Sequence, residues 1–374
     1  MKRYIFLVVA VALATVSCSK TYDTNRNASE GTAITLGSWT NTLTRAATGR
    51  TIGGTAFANG DYFFVYGYTS GAQTPFDGTK VSTANGTAWT YSPIRFWDRN
   101  NDSYDFYAVS PSEDTFAAAN NLVASHDVTH GTFETVSLTL SGKDNDILVA
   151  DQKHVLKAAY GQDVQLNFRH AAALFDLKVR KGAGIGNNGV LKITAVSLES
   201  IDSEGSFEVT GYNASDHATA PYKANIEWTA TDQASYGPGD GVNAVTTISA
   251  ETPITTDGDQ FLINNLVVMP QDFVAAKQQL KISYTITTDA GGSNEQTNTF
   301  TDKTYDLILF DNTDYDTDDD TNTDGNQYNE GTKVSGWVDG VHYTYIITID
   351  AEAINFTANM QPWGTDNGYY YILN

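Results

Sequence analysis

The sequence predicts an all-β protein, and three observations carry that expectation. Thr, Asn, Gly and Tyr are abundant while stretches rich in Leu, Ala, Glu and Lys are few, a composition that favours strands over helices. Apolar and polar residues alternate with period two along several short runs. Gly, Asn and Pro turn residues separate those runs, as in a β-sandwich. The 374 residues suffice for two domains with a sizeable core in each.

The N-terminus sets the compartment. Lys2 and Arg3 form a short basic region, and Tyr4 to Val16 is an apolar run too short for a stable membrane span. Ser17-Cys18-Ser19-Lys20 follows, and Cys18 is the only cysteine in the chain. The pattern resembles a bacterial lipoprotein signal, with residues 1–17 removed and Cys18 lipidated, although Thr15-Val16-Ser17 lacks the usual Leu three residues before the cysteine. Once Cys18 is used, no disulfide can form and packing alone must stabilise the exported protein. The formal charge of −22 argues against a nucleic-acid partner, which needs clustered Lys and Arg.

Along the chain, residues 19–31 are polar. Ala33 to Trp39 then reads as a short strand with Ile34 and Leu36 on one face. Leu43-Thr44-Arg45-Ala46-Ala47-Thr48-Gly49-Arg50 follows as a connector with two basic sites. Aromatic strands come next at Tyr62–Tyr68, Trp89–Trp97 and Tyr104–Ser110, after the turn Phe57-Ala58-Asn59-Gly60-Asp61. Their rings suit core packing, with a sugar-stacking platform as the alternative. Phe116–Ser125 reads as a short helix, and Val136–Leu140 and Asp146–Ala150 as strands. A polar Lys/Gly stretch at 152–162 marks a domain boundary. This divides the mature chain into 46–158 and 159–374. The second domain opens at Val164, and the Gly-rich residues 182–189 read as a hairpin loop.

The tail is unusual for a chain end, because termini are commonly polar. Tyr343, Tyr345, Ile347 and Ile349 share one side of a period-two pattern. Ile354 and Phe356 repeat it, and the chain finishes on Tyr369-Tyr370-Tyr371-Ile372-Leu373. Something must cover this apolar tail.

Candidates for chemistry are few. Seven Asp fall between Asp311 and Asp324, and Asp320, Asn322 and Asp324 with Gly325 match the opening half of a calcium loop. The closing position is Gly331 rather than Glu, so the segment reads as a solvated acidic loop, with calcium as the weaker alternative. His126 and His130 lack the Glu of a zinc-protease helix. His170, inside an apolar strand, reads as a hydrogen-bonded core histidine. No catalytic constellation is present in the sequence, and no cofactor is expected.

Several stretches together resemble the fimbrillin family of Bacteroidales, the type V pilins. They are the lipoprotein leader, Leu43-Thr44-Arg45-Ala46, Phe57-Ala58-Asn59-Gly60-Asp61, Trp89-Thr90-Tyr91-Ser92-Pro93, Asp105-Phe106-Tyr107-Ala108, Phe168-Arg169-His170 and the ending from Tyr343-Thr344-Tyr345 to Pro362-Trp363-Gly364. The resemblance implies two tandem transthyretin-like Greek-key β-sandwich domains. It also implies a lipidated precursor held in the outer membrane through Cys18, whose propeptide (residues 18–45) is cut by an Arg-specific protease. On this chain the cut would follow Arg45, with Arg50 as the competing site, and would remove the strand carrying Ile34 and Leu36. The groove so opened would take a donor strand from residues 337–374 of another copy or a related pilin subunit, building a fimbrium at the cell surface. A ligand on a host or bacterial surface is a further expected partner. Two other readings remain open: a monomeric surface lipoprotein that binds glycans, and a tip or anchor subunit of the same fimbria.

Overall fold

The computed structural model describes residues 31–39, 57, 59–71, 73–110, 122–126, 131–135, 138–139, 146–210, 225–240, 253–254, 259–314, 334–351 and 354–362. Among them the regular structure is strand, with short 3₁₀ turns at Lys157–Ala159, Ala183–Ile185 and Leu307–Leu309. In chain order the first strands are β1 (Leu36–Trp39), β2 (Tyr62–Thr69), β3 (Phe76–Thr83), β4 (Trp89–Thr90), β5 (Ser103–Ser110) and β6 (Leu122–His126). Next come β7 (Gly131–Thr135), β8 (Leu138–Thr139), β9 (Leu148–Leu156), β10 (Val164–Asn167), β11 (Arg169–His170) and β12 (Ala173–Lys181). They are followed by β13 (Val190–Thr210), β14 (Asn225–Tyr236), β15 (Gln260–Val268), β16 (Gln271–Asp272) and β17 (Gln279–Thr288). The last are β18 (Gln296–Asp306), β19 (Asp311–Asp314), β20 (Gly336–Trp337), β21 (Val341–Ile349) and β22 (Ile354–Pro362).

The N-terminal core is built on an antiparallel sheet of order β11-β9-β5-β2-β3-β4. β2 explains its position. Its run Tyr62-Phe63-Phe64-Val65-Tyr66-Gly67-Tyr68 is apolar on both faces, so both faces need a cover. Phe63 and Val65 point into a core with Phe76, Trp97, Phe106 and Phe168. Gly67 permits the closest approach there, since a Cβ would stand 2.9 Å from the Phe76 ring and 3.2 Å from Phe106. Tyr66 and Tyr68 point the other way, with Tyr107, Val109 and Val149, and Phe207 of β13 packs on them.

The C-terminal core lies between a sheet of order β15-β12-β21-β22-β19 and a second that runs β18-β17-β13-β7-β6. Phe175, Leu177, Leu191, Ile193, Ile282 and Tyr345 belong to the cluster between them. β13 joins the two cores. Its first half pairs with β17 and its second half with β14, and register shifts with a left-handed Ser200 (φ 59°) fall between. A bulge of this kind bends a strand and increases its twist. Beyond it, β13 carries Phe207 onto the outer face of the N-terminal sheet. On β14, Trp228 packs against Phe207 at 4.9 Å, and its indole N–H donates to the Ala171 carbonyl at 2.7 Å.

Three sequence expectations change. Residues 122–125 of the expected helix fall in β6, which pairs with β7, and β7 in turn pairs with β13 at Glu208 and Val209. Ladder partners supplied from elsewhere outweigh weak local propensity. Val164, Leu166 and Phe168, expected to open the second domain, are buried in the N-terminal core. Residues 182–189 join β12 to β13, which lie in different sheets, so they form an arch and not a hairpin. Lys181 Nζ holds that arch by donating to the carbonyls of Gly186 and Gly189 at 3.0 and 2.9 Å. Of the aromatics of the glycan reading, Trp97, Tyr104 and Phe106 are fully buried, whereas Phe96 is 46% exposed.

Burial, and secondarily the Asp77 carboxylate, push the Tyr66 hydroxyl up to about 12 from its ordinary value of 10.0. A folded-state pKa above the unfolded one means a contribution complete below pH 10.0 and lost as pH rises through about 12. Thermal melts stepped through that window should show the melting temperature falling with phenolate formation. A melting temperature that stays level throughout would contradict the buried placement of this ring.

Candidate functional site: the slot that holds the leader strand

The leader segment crosses the N-terminal core between two backbone edges. At its start it runs antiparallel to residues 95–97. The Ile34 amide donates to the Arg95 carbonyl at 2.8 Å, the Trp97 amide donates to the Thr32 carbonyl at 3.0 Å, and Ala33 faces Phe96. It then changes neighbours. The Val164 amide donates to the Thr35 carbonyl at 2.9 Å. From Leu36 onward β1 runs parallel to β10, with Leu36 opposite Val164 and Trp39 opposite Asn167. The Tyr91 hydroxyl donates to the Ile34 carbonyl at 2.6 Å. Burial holds that hydroxyl above its ordinary pKa, so it stays a donor at neutral pH. On the solvent side, the Thr35 hydroxyl donates to the Asp163 carboxylate.

Alternation does the rest. Ile34 and Leu36 face inward and are only 1% and 6% exposed, whereas Thr35 is exposed between them. Their surroundings are aromatic and held in place by contacts among themselves. Trp97 stacks on Tyr160 at 4.5 Å, and the Tyr160 hydroxyl donates to the Asn101 carbonyl at 2.9 Å. Phe168 meets Phe57 and Phe63, each at 5.2 Å. Burying an aliphatic side chain contributes roughly 1.5–3 kcal/mol, so Ile34 and Leu36 together contribute about 3–6 kcal/mol. Each backbone bond adds a net ~0.5–1.5 kcal/mol. Among the described residues, β10 has no ladder partner other than β1. Removing the leader would therefore leave an open edge beside an apolar trough.

The tail lies elsewhere. β21 sits in the middle of its sheet, parallel to β12 on one side and antiparallel to β22 on the other. Tyr343, Tyr345, Ile347 and Ile349 are all inward and at most 1% exposed. Tyr345 packs on Phe310 at 4.3 Å and Phe175 at 5.0 Å. Burial drives its hydroxyl well above the ordinary range. The cover the sequence demanded for this run is thus the chain's own C-terminal core. Ile354 and Phe356 of β22 differ in being only half-buried, with Phe356 between Tyr305 at 4.8 Å and Phe310 at 5.0 Å. β22 meets β21 along its whole length but meets β19 only at Thr357–Asn359.

His170 is the hydrogen-bonded core histidine its position suggests. It is 1% exposed, with Nδ1 at 2.6 Å from an Asp146 carboxylate oxygen. A second such pair, His342 Nε2 to Asp176 at 2.9 Å, ties β21 to β12 and went unread in the sequence. The partners of that pair are 166 positions apart, beyond the reach of any local pattern. Cys18, Arg45, Arg50, the acidic residues Asp320, Asn322 and Asp324, and the Tyr369–Leu373 ending lie outside the described residues. Among the described residues, no group of three or more His, Cys, Asp or Glu could hold a metal ion, and no helix is long and apolar enough to cross a membrane.

A sequence model of the fimbrillin-like family matches residues 44–363. The chain belongs to that family. It is 24% identical to the fimbrium subunit Fim1C of Phocaeicola vulgatus, over 96% of each chain. Among solved structures, it is similar to a fimbrial protein from Bacteroides vulgatus ATCC 8482, with 17% identity, a TM-score of 0.49, and 88% of this chain and 99% of that one covered. It is also similar to the C-terminally truncated tip fimbrial protein Mfa3 of Porphyromonas gingivalis, with 10% identity, a TM-score of 0.37, and 82% and 95% covered.

Leu36→Ala removes one of the two apolar anchors of the leader. It should lower stability by about 2–5 kcal/mol, the cost of truncating a buried Leu, read from denaturant unfolding of the intact chain.

Proposed function

We propose that this chain is a structural, non-enzymatic subunit of a cell-surface fimbrium, made as a lipidated precursor and polymerised by proteolysis-triggered strand exchange. The observation that carries the reading is the seating of Ile34 and Leu36 in the N-terminal core, on an edge of β10 that has no other described partner. Membership of the fimbrillin-like family supports it. So does the sequence just beyond the strand, where Arg45 and Arg50 follow Trp39. A cut at either would leave the leader held only by non-covalent contacts. A strand from another molecule could then take its place, because an exposed strand edge beside apolar side chains is a template for strand addition.

In this reading residues 1–17 are the signal peptide and 18–45 the propeptide. Residues 46–158 and 159–374 are two tandem sandwich domains, with the five residues Val164–Phe168 packed back into the first. Cys18 anchors the precursor in outer-membrane lipid. The assembly partners are further copies or related subunits, and a finished fimbrium presents the chain to a surface ligand for adhesion. The contact is head to tail, so it propagates into a filament instead of closing.

Limited trypsin treatment of the purified precursor should produce a new N-terminus at Ala46 and a ladder of oligomers. Arg45→Ala should move the N-terminus to Thr51. Clean cleavage with the product remaining monomeric would count against the reading. Separately, Cys18→Ala should abolish incorporation of labelled palmitate and release the precursor from the membrane fraction.

A further inference from the structure

The leader also covers a piece of chain that has little else to hold it. Residues 91–96 join β4 to the buried Trp97 without entering a named strand. Among the described residues, the backbone bonds that leave residues 92–96 go to the leader. The Arg95 carbonyl accepts from the Ile34 amide at 2.8 Å, and Ala33 bridges Phe96. The Arg95 amide turns back to the Tyr91 hydroxyl at 3.3 Å, inside the same loop. Gly31 lies against the Phe96 ring, where a Cβ would stand 2.9 Å away. Side chains anchor the loop weakly. Ile94 and Phe96 are 52% and 46% exposed, and Arg95 Nε is buried without a hydrogen-bond partner. An unmet buried donor is costly, so withdrawing the guanidinium breaks no bond at that atom.

We propose that the Arg95–Phe96 peptide bond is a second proteolytic site, closed while the leader is seated and open to the same Arg-directed protease while the slot stands empty. This rests on the processing reading above and adds to it the fate of a subunit that loses its leader and captures no strand. Once the leader has gone, residues 92–96 are held at their two ends, by β4 and Trp97. They can then be drawn into the extended form in which a peptide pairs with the strand edge of a binding cleft. Hydrolysis adds one water across the bond, leaving a carboxylate on Arg95 and an ammonium on Phe96. The edge is thereby interrupted where Thr32 and Ile34 were bound, and the product no longer holds a strand there. The protease that readies a subunit also retires it when no partner arrives.

The other arginines among the described residues lack this dependence on the leader. Arg99 is exposed, but its turn is fixed by bonds that the leader does not make. The Asn100 amide donates to the Asp98 carboxylate, the Tyr160 hydroxyl to the Asn101 carbonyl and the Asp102 amide to the Ser70 hydroxyl, each at 2.9 Å. Arg169 lies in β11 against β9. Arg180 lies in β12, paired with β21 and bonded to Asp259.

Digestion of the purified precursor with an Arg-specific endoprotease, followed by N-terminal sequencing, tests this. A chain beginning at Phe96 should appear only after leader release, in dilute leader-free monomer and not in polymer. A synthetic peptide of residues 31–45, added in excess, should refill the slot and slow that cut about tenfold or more, because cleavage of a transiently opened segment follows its open population. Arg95→Gln should abolish the Phe96 product and leave the leader cut unchanged. Scission at Arg95 as fast in the intact precursor as in the leader-free monomer, scission at Arg99 first, a leader-free monomer that resists scission at Arg95, or a cut that the peptide does not slow would overturn the proposal and leave strand exchange standing. A leader-dependent cut at Arg95 in a chain that never forms oligomers would support it and count against strand exchange. A leader that is never cut, or never departs, would overturn the processing reading and this inference together.

Discussion

β10 runs along the N-terminal core with Val164 and Leu166 buried and its backbone bonded to a single described neighbour, the leader strand. A strand so placed has only two acceptable states. Either the leader fills the edge, or another strand does, because unpaired amides and carbonyls beside an emptied apolar trough are costly. The rest of the slot is held together by residues other than the leader. Trp97, Tyr160, Phe57, Phe63 and Phe168 hold one another through ring contacts that do not involve the leader. β10 itself continues through Phe168 into His170, which is fixed to Asp146. The leader can therefore be regarded as a placeholder in a groove that other residues shape.

The second core bears on the slot through its connection to the first. The chain passes between them at His170-Ala171-Ala172, all of them buried. Trp228 caps the crossing by bonding to the Ala171 carbonyl, and Phe207 covers the tyrosine face of the N-terminal sheet. β7 and β8, from the N-terminal half of the sequence, pair with β13 beyond its bulge. These contacts make the junction a packed interface and not a linker. In a filament of such subunits, the acceptor slot and the tail would be held at a fixed spacing within each molecule.

Much of this was legible in the residues. Period-two alternation identified β1, β21 and β22, and the aromatic run at Tyr62–Tyr68 identified a strand. His170 was readable because a lone polar residue in an apolar strand needs a partner. Other features were not local and so left no local pattern. The parallel pairing of β21 with β12 gives the tail its cover, yet the paired residues are far apart in sequence. Val164–Phe168 return to the first core, where Phe168 packs on Phe57 and Phe63, which lie far away in the sequence. The strand at Leu122–His126 exists through β7 and, beyond it, β13. Strand identity is written in alternation, whereas strand partnership is settled by the whole chain.

Amide hydrogen exchange at Val164, Leu166 and Trp97 tests the placeholder account most directly, in the precursor, the cut and leader-free monomer, and the polymer. The account predicts protection in the precursor, its loss for Val164 and Trp97 when the leader departs, and its return in the polymer, with the amides of β2 and β5 protected throughout. Protection at these positions that is indifferent to loss of the leader would contradict it.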